Sequence, residues 1–358
     1  MTRYAIIPGD GIGLEVMREA VRVLERVSQR FDLPLELVHW DLGADRYLRD
    51  AVTITDDEFT ALADHDAILL GALGDPRVPG NEHARDILLG LRFRLDLYVN
   101  HRPAVLHDPA LSPLRNMEGR AVRLDVFREN TEGVYVNLGG RFKADTPDEI
   151  ALQEDLNTWK GVERIIRAAF DFARRHARGR VTLVDKANAM PAAGALWRRT
   201  FEAVGSDFPE VERDAMYVDA MAMDLVRRPE RYQVVVTGNL FGDILSDLAA
   251  ELTGGIGLAP SANLHPGRHA LYEPVHGSAP DIAGKNVANP MGAIACAALA
   301  LERSGAERAA GAVERALVRA LRAGVTTPDL GGRRSTEEVG TWIADALADE
   351  PEATEGER

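Results

Sequence analysis

The stretch VVVTGNLFGDILSDLAAEL, residues 234–252, decides the fold of this chain because it joins a strand pattern to a helix pattern. Its three leading valines predict the end of a buried strand, since β-branched side chains favour strands. Gly238 and Asn239 predict a turn. Apolar residues then recur at helical spacing, at Leu240, Phe241, Ile244, Leu245, Leu248 and Leu252. The stretch therefore predicts one strand–turn–helix step of an α/β protein.

Two acidic residues of the predicted helix, Asp243 and Asp247, are four apart and lie one above the other on its surface. Without a ligand they repel by roughly 0.2–0.5 kcal/mol. Mg²⁺ or Mn²⁺ prefers oxygen ligands and would turn this repulsion into attraction. Taken alone, such a pair is more often a solvated acidic face, so the metal hypothesis depends on the rest of the chain.

Composition places the chain among ordinary globular proteins with more than one domain. Its 358 residues exceed the size at which a single core keeps growing. The formal net charge of −14 argues against nucleic acid or an anionic membrane as a partner. No apolar run approaches the roughly 20 residues of a membrane span. A strand-like start without a signal-peptide pattern and a single cysteine, Cys296, predict a reducing, cytoplasmic location.

The first part of the chain alternates strand and helix patterns, which predicts an α/β sheet with helices on its faces. The apolar runs are residues 4–7, 35–38 and 67–73. Gly9, Gly11 and Gly13 follow the first run but do not complete G-x-G-x-x-G, because residue 14 is leucine. This turn is equally compatible with an anion site at a helix N-terminus and with a tight strand-to-helix connection.

Three arginines, Arg92, Arg102 and Arg128, lie at or near the ends of separate predicted elements. The planar guanidinium suits bidentate binding of a carboxylate, so three together could bind a dicarboxylate, although each alone is more often a surface arginine. Helical spacing puts one of them on a face shared by Arg85, Leu88, Leu89 and Arg92. Lys186 follows a strand, where α/β sheets usually place their sites.

Seven segments together resemble the β-decarboxylating dehydrogenases, the family of the isocitrate and isopropylmalate dehydrogenases. They occur in the family's order and span most of the chain. They are GDGIG (9–13), LRFRLDLYVNHRP (91–103), FRENTEGVY (127–135), DKAN (185–188), VDAMAMDLV (218–226), GNLFGDILSDLAAELTGGIGLAPSAN (238–263) and EPVHGSAPDIAGKNVANP (273–290).

The resemblance implies a two-domain α/β/α fold and not a G-x-G-x-x-G Rossmann fold. It implies a discontinuous cofactor-side domain, residues 1–99 and 252–358, and a substrate, metal and dimerisation domain, residues 100–251, with an arm near 134–151. A homodimer with two shared active sites is expected. The polar tail, residues 349–358, is expected to be disordered.

The resemblance also assigns roles to individual residues. Arg92, Arg102 and Arg128 would bind the substrate carboxylates. Asp243 and Asp247 of one subunit and Asp219 of the other would hold Mg²⁺ or Mn²⁺, with Asp219 also facing the substrate. Tyr135 and the neighbouring subunit's Lys186 would be the acid/base pair. The NAD loop would comprise His276, Gly277, Ser278, Ala279, Asp281 and Asn289.

The activity implied by the resemblance is NAD-dependent oxidative decarboxylation of a 3-substituted malate. Leu88 and Leu89 form an apolar floor that favours 3-isopropylmalate, which would place the enzyme in leucine biosynthesis. Homoisocitrate or tartrate/D-malate oxidation is the alternative within the family, and a non-catalytic dimeric carboxylate- or nucleotide-binding protein is the alternative outside it. Two residues depart from the family pattern: Arg85, which would reach a substrate carboxylate or pair with a nearby acid, and His101.

Overall fold

The computed structural model describes residues 1–349, so most of the tail expected to be disordered lies outside the described residues. It has a mixed α/β architecture, which confirms the predicted fold class. Within residues 1–349, no helix is both long enough and apolar enough to cross a membrane.

Strands and helices alternate along most of the chain. The strands are β1 (Thr2–Gly9), β2 (Leu35–His39), β3 (Ala67–Ala72), β4 (Val99–Val105), β5 (Arg123–Glu129), β6 (Gly139–Phe142), β7 (Ile150–Gln153), β8 (Arg180–Asp185), β9 (Glu212–Tyr217), β10 (Val234–Thr237), β11 (Pro260–His265) and β12 (His269–Pro274). The helices are α1 (Gly13–Phe31), α2 (Ala44–Asp50), α3 (Asp56–Ala63), α4 (Glu82–Ala84), α5 (Gly90–Arg94), α6 (Trp159–Arg175), α7 (Pro191–Gly205), α8 (Val218–Arg227), α9 (Asn239–Leu252), α10 (Met291–Arg303), α11 (Glu307–Arg322) and α12 (Thr336–Ala346).

The first compact unit comprises Met1–Leu91, Gly254–Ala262 and the chain from His269 onward. Its strands run in the order β2-β1-β3-β12, and the pairings of β1 with β2 and β3 and of β3 with β12 are all parallel. Helix α1 packs against α10 and α12, and α10 packs against α11 and the sheet. Parallel strands covered by helices explain the continuous apolar run at 67–72, whose residues are all buried.

The second unit comprises Arg92–Thr253 and Asn263–Arg268. Its strands run in the order β4-β5-β10-β8-β9, with β4 antiparallel to β5 and the remaining pairs parallel. Helices α6 and α7 cover one face of this sheet, and α8 and α9 cover the other. That one domain binds cofactor and the other substrate remains a prediction.

The valine run at residues 234–236 is buried because each face of β10 meets a different core. Val234 and Val236 pack among residues of α6 and α7, whereas Val235 packs with residues of α8 and α9, such as Leu225 and Leu245. This alternation follows from the two-residue period of a strand. Gly238 then precedes α9, which begins at Asn239, so the strand–turn–helix prediction is confirmed.

The segment predicted as an arm contains the antiparallel hairpin β6–β7, and all eight of its strand residues are exposed. Four large apolar side chains in or next to these strands have about half of their surface in solvent: Leu138, Phe142, Ile150 and Leu152. An isolated two-stranded hairpin is marginal in water. Its exposed apolar surface is therefore compatible with pairing against another chain.

The helix before Arg92 is interrupted by a π-helical turn at Arg85–Leu89, between α4 and α5. A π turn has a wider repeat than the α-helix, so the helical spacing on which the predicted common face depends is not regular here. Arg92 is buried, whereas the Arg85 side chain is largely exposed and its Nε lies 3.5 Å from Asp86. Leu88 and Leu89 are half-buried.

Candidate active site

Helix α9 presents Asp243 and Asp247 to two arginines of the neighbouring strands β4 and β5. The helix lies close to β5 because Gly242 has no side chain. A Cβ there would lie 2.6 Å from both Cβ and Cγ of Arg128. We call Arg102, Arg128, Tyr135, Asp243 and Asp247 the α9 cluster.

Arg128, at the end of β5, is almost completely buried, with a relative exposure of 1%. Its Nη1 donates a short hydrogen bond to Oδ1 of Asp243, and its Nε donates to Oδ1 of Asn239 at 2.9 Å. Its guanidinium carbon lies 5.0 Å from the centre of the Tyr135 ring, within cation–π range.

Arg102, on β4, contacts the same helix one to two turns further along. Its Nη1 donates to Ser246 Oγ at 2.9 Å and to Asp247 Oδ1 at 3.1 Å, and lies 3.4 Å from Asp243 Oδ1. Its Nε is buried and has no hydrogen-bond partner in the part of the chain that the structure describes. Arg92 is also buried, and its charge contributes to the pKa shifts of Arg128 and Asp243. The structure thus brings the three predicted arginines into one electrostatic environment.

The two carboxylates of α9 differ in their pKa values. Burial alone would raise the pKa of Asp243, but the charges of Arg128 and Arg102 and the Tyr135 hydrogen bond outweigh it and lower this pKa. Burial raises the pKa of Asp247 and the neighbouring Asp243 charge adds to this rise, and the charges of Arg102 and Arg128 do not outweigh the two. Asp243 is therefore the more firmly ionised of the two.

Tyr135 follows β5 and donates its hydroxyl hydrogen to Asp243 Oδ2 at 2.8 Å. Burial is the largest cause that raises the pKa of Tyr135, and this hydrogen bond is the next. A raised pKa keeps the phenol protonated at neutral pH. This is the state that a proton donor requires.

Lys186 and Asp219 form a separate pair, with Lys186 Nζ donating to Asp219 Oδ1 at 2.6 Å. Lys186 follows β8 and Asp219 lies in the first turn of α8. The hydrogen bond from Lys186 lowers the pKa of Asp219. No hydrogen bond or ion pair within residues 1–349 joins this pair to the α9 cluster, and in that range no three His, Cys, Asp or Glu side chains are grouped as one metal site.

The predicted cofactor loop lies in the first unit, against the glycine turn after β1. Ile12 N–H donates to the Ser278 carbonyl at 2.9 Å, and a Cβ on Gly11 would lie 2.1 Å from the same oxygen. Gly11 also has a positive φ of 56°. The turn therefore supports the loop by a close backbone contact, which already occupies the Ile12 amide. This favours the interpretation of the turn as a tight strand-to-helix connection over its interpretation as an anion site.

His276 is a buried member of this loop with one ring nitrogen in use. Its Nδ1 lies 3.0 Å from the Gly277 carbonyl, so Nδ1 carries the proton and Nε2 is an acceptor. Burial lowers the pKa of His276, which keeps the ring neutral. Nε2 is buried and has no hydrogen-bond partner among the described residues. A buried acceptor without a protein partner is available to a water molecule or to a ligand.

The remaining loop residues differ in availability. Ser278 is buried, Gly277 and Asp281 are exposed, and Ala279 has a φ of 39°, unusual for a residue with a side chain. Asn289 is already engaged, because its Nδ2 donates to Asp329 at 3.0 Å and its Oδ1 accepts from Met291 N–H at 3.0 Å. In this structure Asn289 orders the loop before α10.

Sequence reasoning missed two residues that contact the α9 cluster, Asn239 and Ser246. Asn239 was interpreted only as a turn residue, and Ser246 was not singled out. The available signal was their position on the helix: together with Asp243 they follow the i, i+4, i+7 spacing of one helix face. Polar residues that share a face with predicted ligands are candidates for holding them.

Comparisons with known proteins show the family of this chain. The family model described as isocitrate/isopropylmalate dehydrogenase matches residues 3–343. A 3-isopropylmalate dehydrogenase of Beutenbergia cavernae is 47% identical over 97% of this chain and 100% of its own length, and one of Streptomyces griseus is 45% identical over 96% and 98%. The crystal structure of an isocitrate dehydrogenase from Methylococcus capsulatus superimposes with a TM-score of 0.88 at 37% identity, covering 97% of this chain and 99% of that one.

Proposed function

The chain belongs to the isocitrate/isopropylmalate dehydrogenase family, and within it we propose an NAD-dependent enzyme that oxidises and decarboxylates 3-isopropylmalate. The product would be 4-methyl-2-oxopentanoate, an intermediate of leucine biosynthesis. The observation that carries the proposal is the α9 cluster, in which buried arginines, two carboxylates and a protonated tyrosine meet.

The arginines suit a dicarboxylate. In the cluster, Arg102 and Arg128 are neutralised by Asp243 and Asp247. A substrate carboxylate would replace these partners and preserve charge balance around guanidinium groups that are already buried. Arg92 would supply a third positive charge.

The donor set fits a divalent cation and NAD. Asp243 and Asp247 are partly exposed carboxylates one helical turn apart, and oxygen ligands are those that Mg²⁺ and Mn²⁺ prefer. Asp219 of a second copy would be the third ligand. His276 Nε2, which is buried and has no hydrogen-bond partner within residues 1–349, supports a ligand at the 276–289 loop. The exposed Asp281 favours NAD over NADP, since a carboxylate accepts from the ribose diol and repels a 2′-phosphate.

When bound, the cation would lower the pKa of the substrate 2-hydroxyl and polarise the carbonyl that replaces it, while NAD⁺ would accept the hydride from C2. Lys186 of the second copy would take the hydroxyl proton. The bond between C3 and its carboxylate would then break, CO₂ would leave, and Tyr135 would give its proton to C3.

A homodimer is part of the proposal because the acid/base and metal residues form two groups within one chain. Helices α8 and α9, which carry Asp219 and Asp243, also expose large apolar side chains: Met223, Val226, Leu240 and Ile244. Their exposed fractions range from 39% to 62%. Packing these helices against a second copy would bury apolar surface and unite the two groups. A cytoplasmic location stays a prediction.

The test is a comparison of kcat/KM for 3-isopropylmalate, homoisocitrate, isocitrate and D-malate, with Mn²⁺ and with NAD or NADP. We expect 3-isopropylmalate and NAD to be preferred. A tenfold preference for homoisocitrate or D-malate would overturn the substrate assignment. Absence of NADH formation with every substrate would overturn the enzymatic proposal in favour of a binding protein.

A further inference from the structure

Two uncharged residues of α9, Asn239 and Ser246, hold the two arginines of the α9 cluster by their guanidinium groups. They are seven residues apart, or two helical turns, and therefore share a helix face. Both are buried, each with a relative exposure of 4%. Neither contact is needed to form the helix.

Asn239 connects three parts of the candidate site. Its Oδ1 accepts from Arg128 Nε at 2.9 Å, and its Nδ2 donates to the Glu132 carbonyl at 2.8 Å. Glu132 precedes the turn that leads to Tyr135. The packing is close, since a Cβ on Gly133 would lie 3.0 Å from Asn239 Cβ. The amide therefore fixes Arg128 relative to the segment that carries the proton donor.

Ser246 is oriented by the helix itself. Its hydroxyl donates to the Asp243 carbonyl at 3.0 Å, one turn earlier, so its lone pairs are left to accept from Arg102 Nη1 at 2.9 Å. The serine thus presents a fixed acceptor to Arg102.

Each arginine consequently has a neutral hydrogen-bond acceptor as well as a charged partner on the same helix, and Arg102 also lies 3.4 Å from Asp243. Arg128 is held by Asn239 and paired with Asp243, while Arg102 is held by Ser246 and paired with Asp247. A carboxylate partner neutralises the positive charge that would attract a substrate carboxylate. A neutral acceptor holds the guanidinium without cancelling that charge.

We propose that Asn239 and Ser246 are positioning residues. They hold Arg128 and Arg102 in place, with the positive charges not neutralised, when Asp243 and Asp247 bind a cation and a dicarboxylate takes their place beside the arginines. The inference rests on the proposed function. It predicts an effect on substrate binding that is separate from any effect on folding.

The first experiment measures kcat, the KM for 3-isopropylmalate and the KM for NAD in Asn239→Ala and Ser246→Ala. Each variant should raise the KM for 3-isopropylmalate by about tenfold, the value of one hydrogen bond to a charged group. The KM for NAD should stay within twofold and kcat should change less than the dicarboxylate KM, because ground state and transition state lose the same contact. Unchanged dicarboxylate KM values in both variants would overturn the proposal.

The decisive variant is Asn239→Asp, which keeps an acceptor for Arg128 but adds a negative charge. Its thermal midpoint should be close to that of Asn239→Ala, since the new carboxylate pairs with Arg128 but turns an oxygen, in place of the Nδ2 donor, toward the Glu132 carbonyl. Its KM for 3-isopropylmalate should nevertheless be at least as high. A purely structural role predicts that KM follows the thermal midpoint, so recovery of the wild-type KM in Asn239→Asp would overturn the proposal.

Asn157→Ala is the matched control. Asn157 accepts from Trp197 Nε1 at 2.8 Å and donates to Asp155 at 2.7 Å, and neither partner belongs to the α9 cluster. Its thermal midpoint should fall while the KM for 3-isopropylmalate stays at the wild-type value. Equal KM changes in this control and in Asn239→Ala would count against a positioning role.

Calorimetric titration of 3-isopropylmalate with Mn²⁺ and without NAD separates the two proposals. If the unmodified protein turned over no substrate of the panel, the proposed function would fail, whatever the variants did. If it were active while the variants bound 3-isopropylmalate as tightly as Asn157→Ala, only the positioning role would fail.

Discussion

The hydroxyl of Tyr135 is placed to donate a proton and not to accept one. It donates to Asp243, and burial together with that bond raises its pKa, so at neutral pH the phenol carries a proton to give. The ring meanwhile lies over the Arg128 guanidinium. In the proposed reaction the hydroxyl would therefore serve proton transfer, and the ring would support the arginine that binds substrate.

Tyr135→Phe should separate these two parts. The ring remains over Arg128, so the KM for 3-isopropylmalate should change by only a few-fold. The proton donor is lost, so kcat should fall by about 10²–10⁴. In a single turnover, NADH should still form, because hydride transfer precedes the protonation of C3.

Tyr47→Phe is the control for this substitution. The Tyr47 hydroxyl donates to an exposed glutamate, Glu82, in the first unit, so its loss should leave kcat unchanged. Wild-type turnover in Tyr135→Phe would remove this hydroxyl from the reaction.

At the scale of single elements, α9 and β5 approach each other only because residue 242 is glycine. A Cβ at Gly242 would overlap Arg128 side-chain atoms at 2.6 Å, and these atoms belong to a side chain that is fixed by burial. Gly242→Ala should therefore push the helix away from the strand and disturb Arg128. We expect a stability loss of about 1–3 kcal/mol and a raised KM for 3-isopropylmalate.

Gly311→Ala, in α11, is the matched helix substitution. Its new Cβ would meet only the end of the flexible Arg315 side chain, at 3.2 Å. Alanine is the better helix former, so this variant should be neutral or more stable by up to about 1 kcal/mol. Equal effects of the two substitutions on KM would contradict a specific contact between α9 and Arg128.

The antiparallel pair β4–β5 carries a second fixed contact on the face opposite the arginines. His101 Nε2 lies 2.9 Å from Asp125 Oδ1, and the His101 ring packs between Phe127 and Phe172 at centroid distances of 4.8 and 4.9 Å. Burial would raise the pKa of Asp125, but the His101 hydrogen bond and the charges of His101, Arg123 and Arg178 lower it. His101, a departure from the family pattern, therefore has a structural explanation.

His101→Leu should destabilise the protein in a pH-dependent manner. Because the folded-state pKa of Asp125 is lowered, its contribution to stability is present above its ordinary pKa of about 4 and is lost as pH falls through the folded value. Removing the histidine leaves a buried carboxylate poorly compensated, which should cost about 3–5 kcal/mol at pH 7. The difference from the wild type should shrink as pH falls below about 4.

Urea unfolding at a series of pH values measures this difference. His39→Leu, at an exposed histidine that ends β2, should show little change at any pH. A stability difference in His101→Leu that did not vary with pH would show that packing, rather than the Asp125 pair, accounts for it.

At the scale of the whole molecule, sequence patterns predicted the features that depend on residue periodicity and on the order of motifs along the chain. The valine run and the apolar spacing of 240–252 predicted β10 and α9, because burial on both strand faces and on one helix face imposes those periods. The family resemblance then named Arg102, Arg128 and Asp243, which the structure brings into contact.

The features that the sequence could not predict depend on local geometry that leaves no repeating pattern of residues. The π-helical turn at 85–89 breaks the regular helical spacing that leads to Arg92, and no residue pattern marks such a turn in advance. The hydrogen bonds of Asn239 and Ser246 depend on where β4 and β5 pass the helix. Whether Asp219 joins Asp243 is a question about two chains, which no single chain contains.

That last question has a direct test in mixed dimers. In the proposed homodimer each site takes Arg102 and Asp243 from one chain and Lys186 and Asp219 from the other. Asp219→Asn and Arg102→Ala should each be nearly inactive alone. In a heterodimer of the two, one site collects both defects and the other collects none.

Co-refolding or subunit exchange of equal amounts should therefore restore about a quarter of the wild-type activity, since about half of the dimers are mixed and each has one intact site. Mixing Asp219→Asn with Lys186→Ala is the control, because these two residues belong to the same half of the site and every mixed dimer carries a defect in both sites. Recovery of activity in the control but not in the test mixture would contradict this division. No recovery in either, with exchange verified by mass, would mean that Asp219 serves the chain to which it belongs.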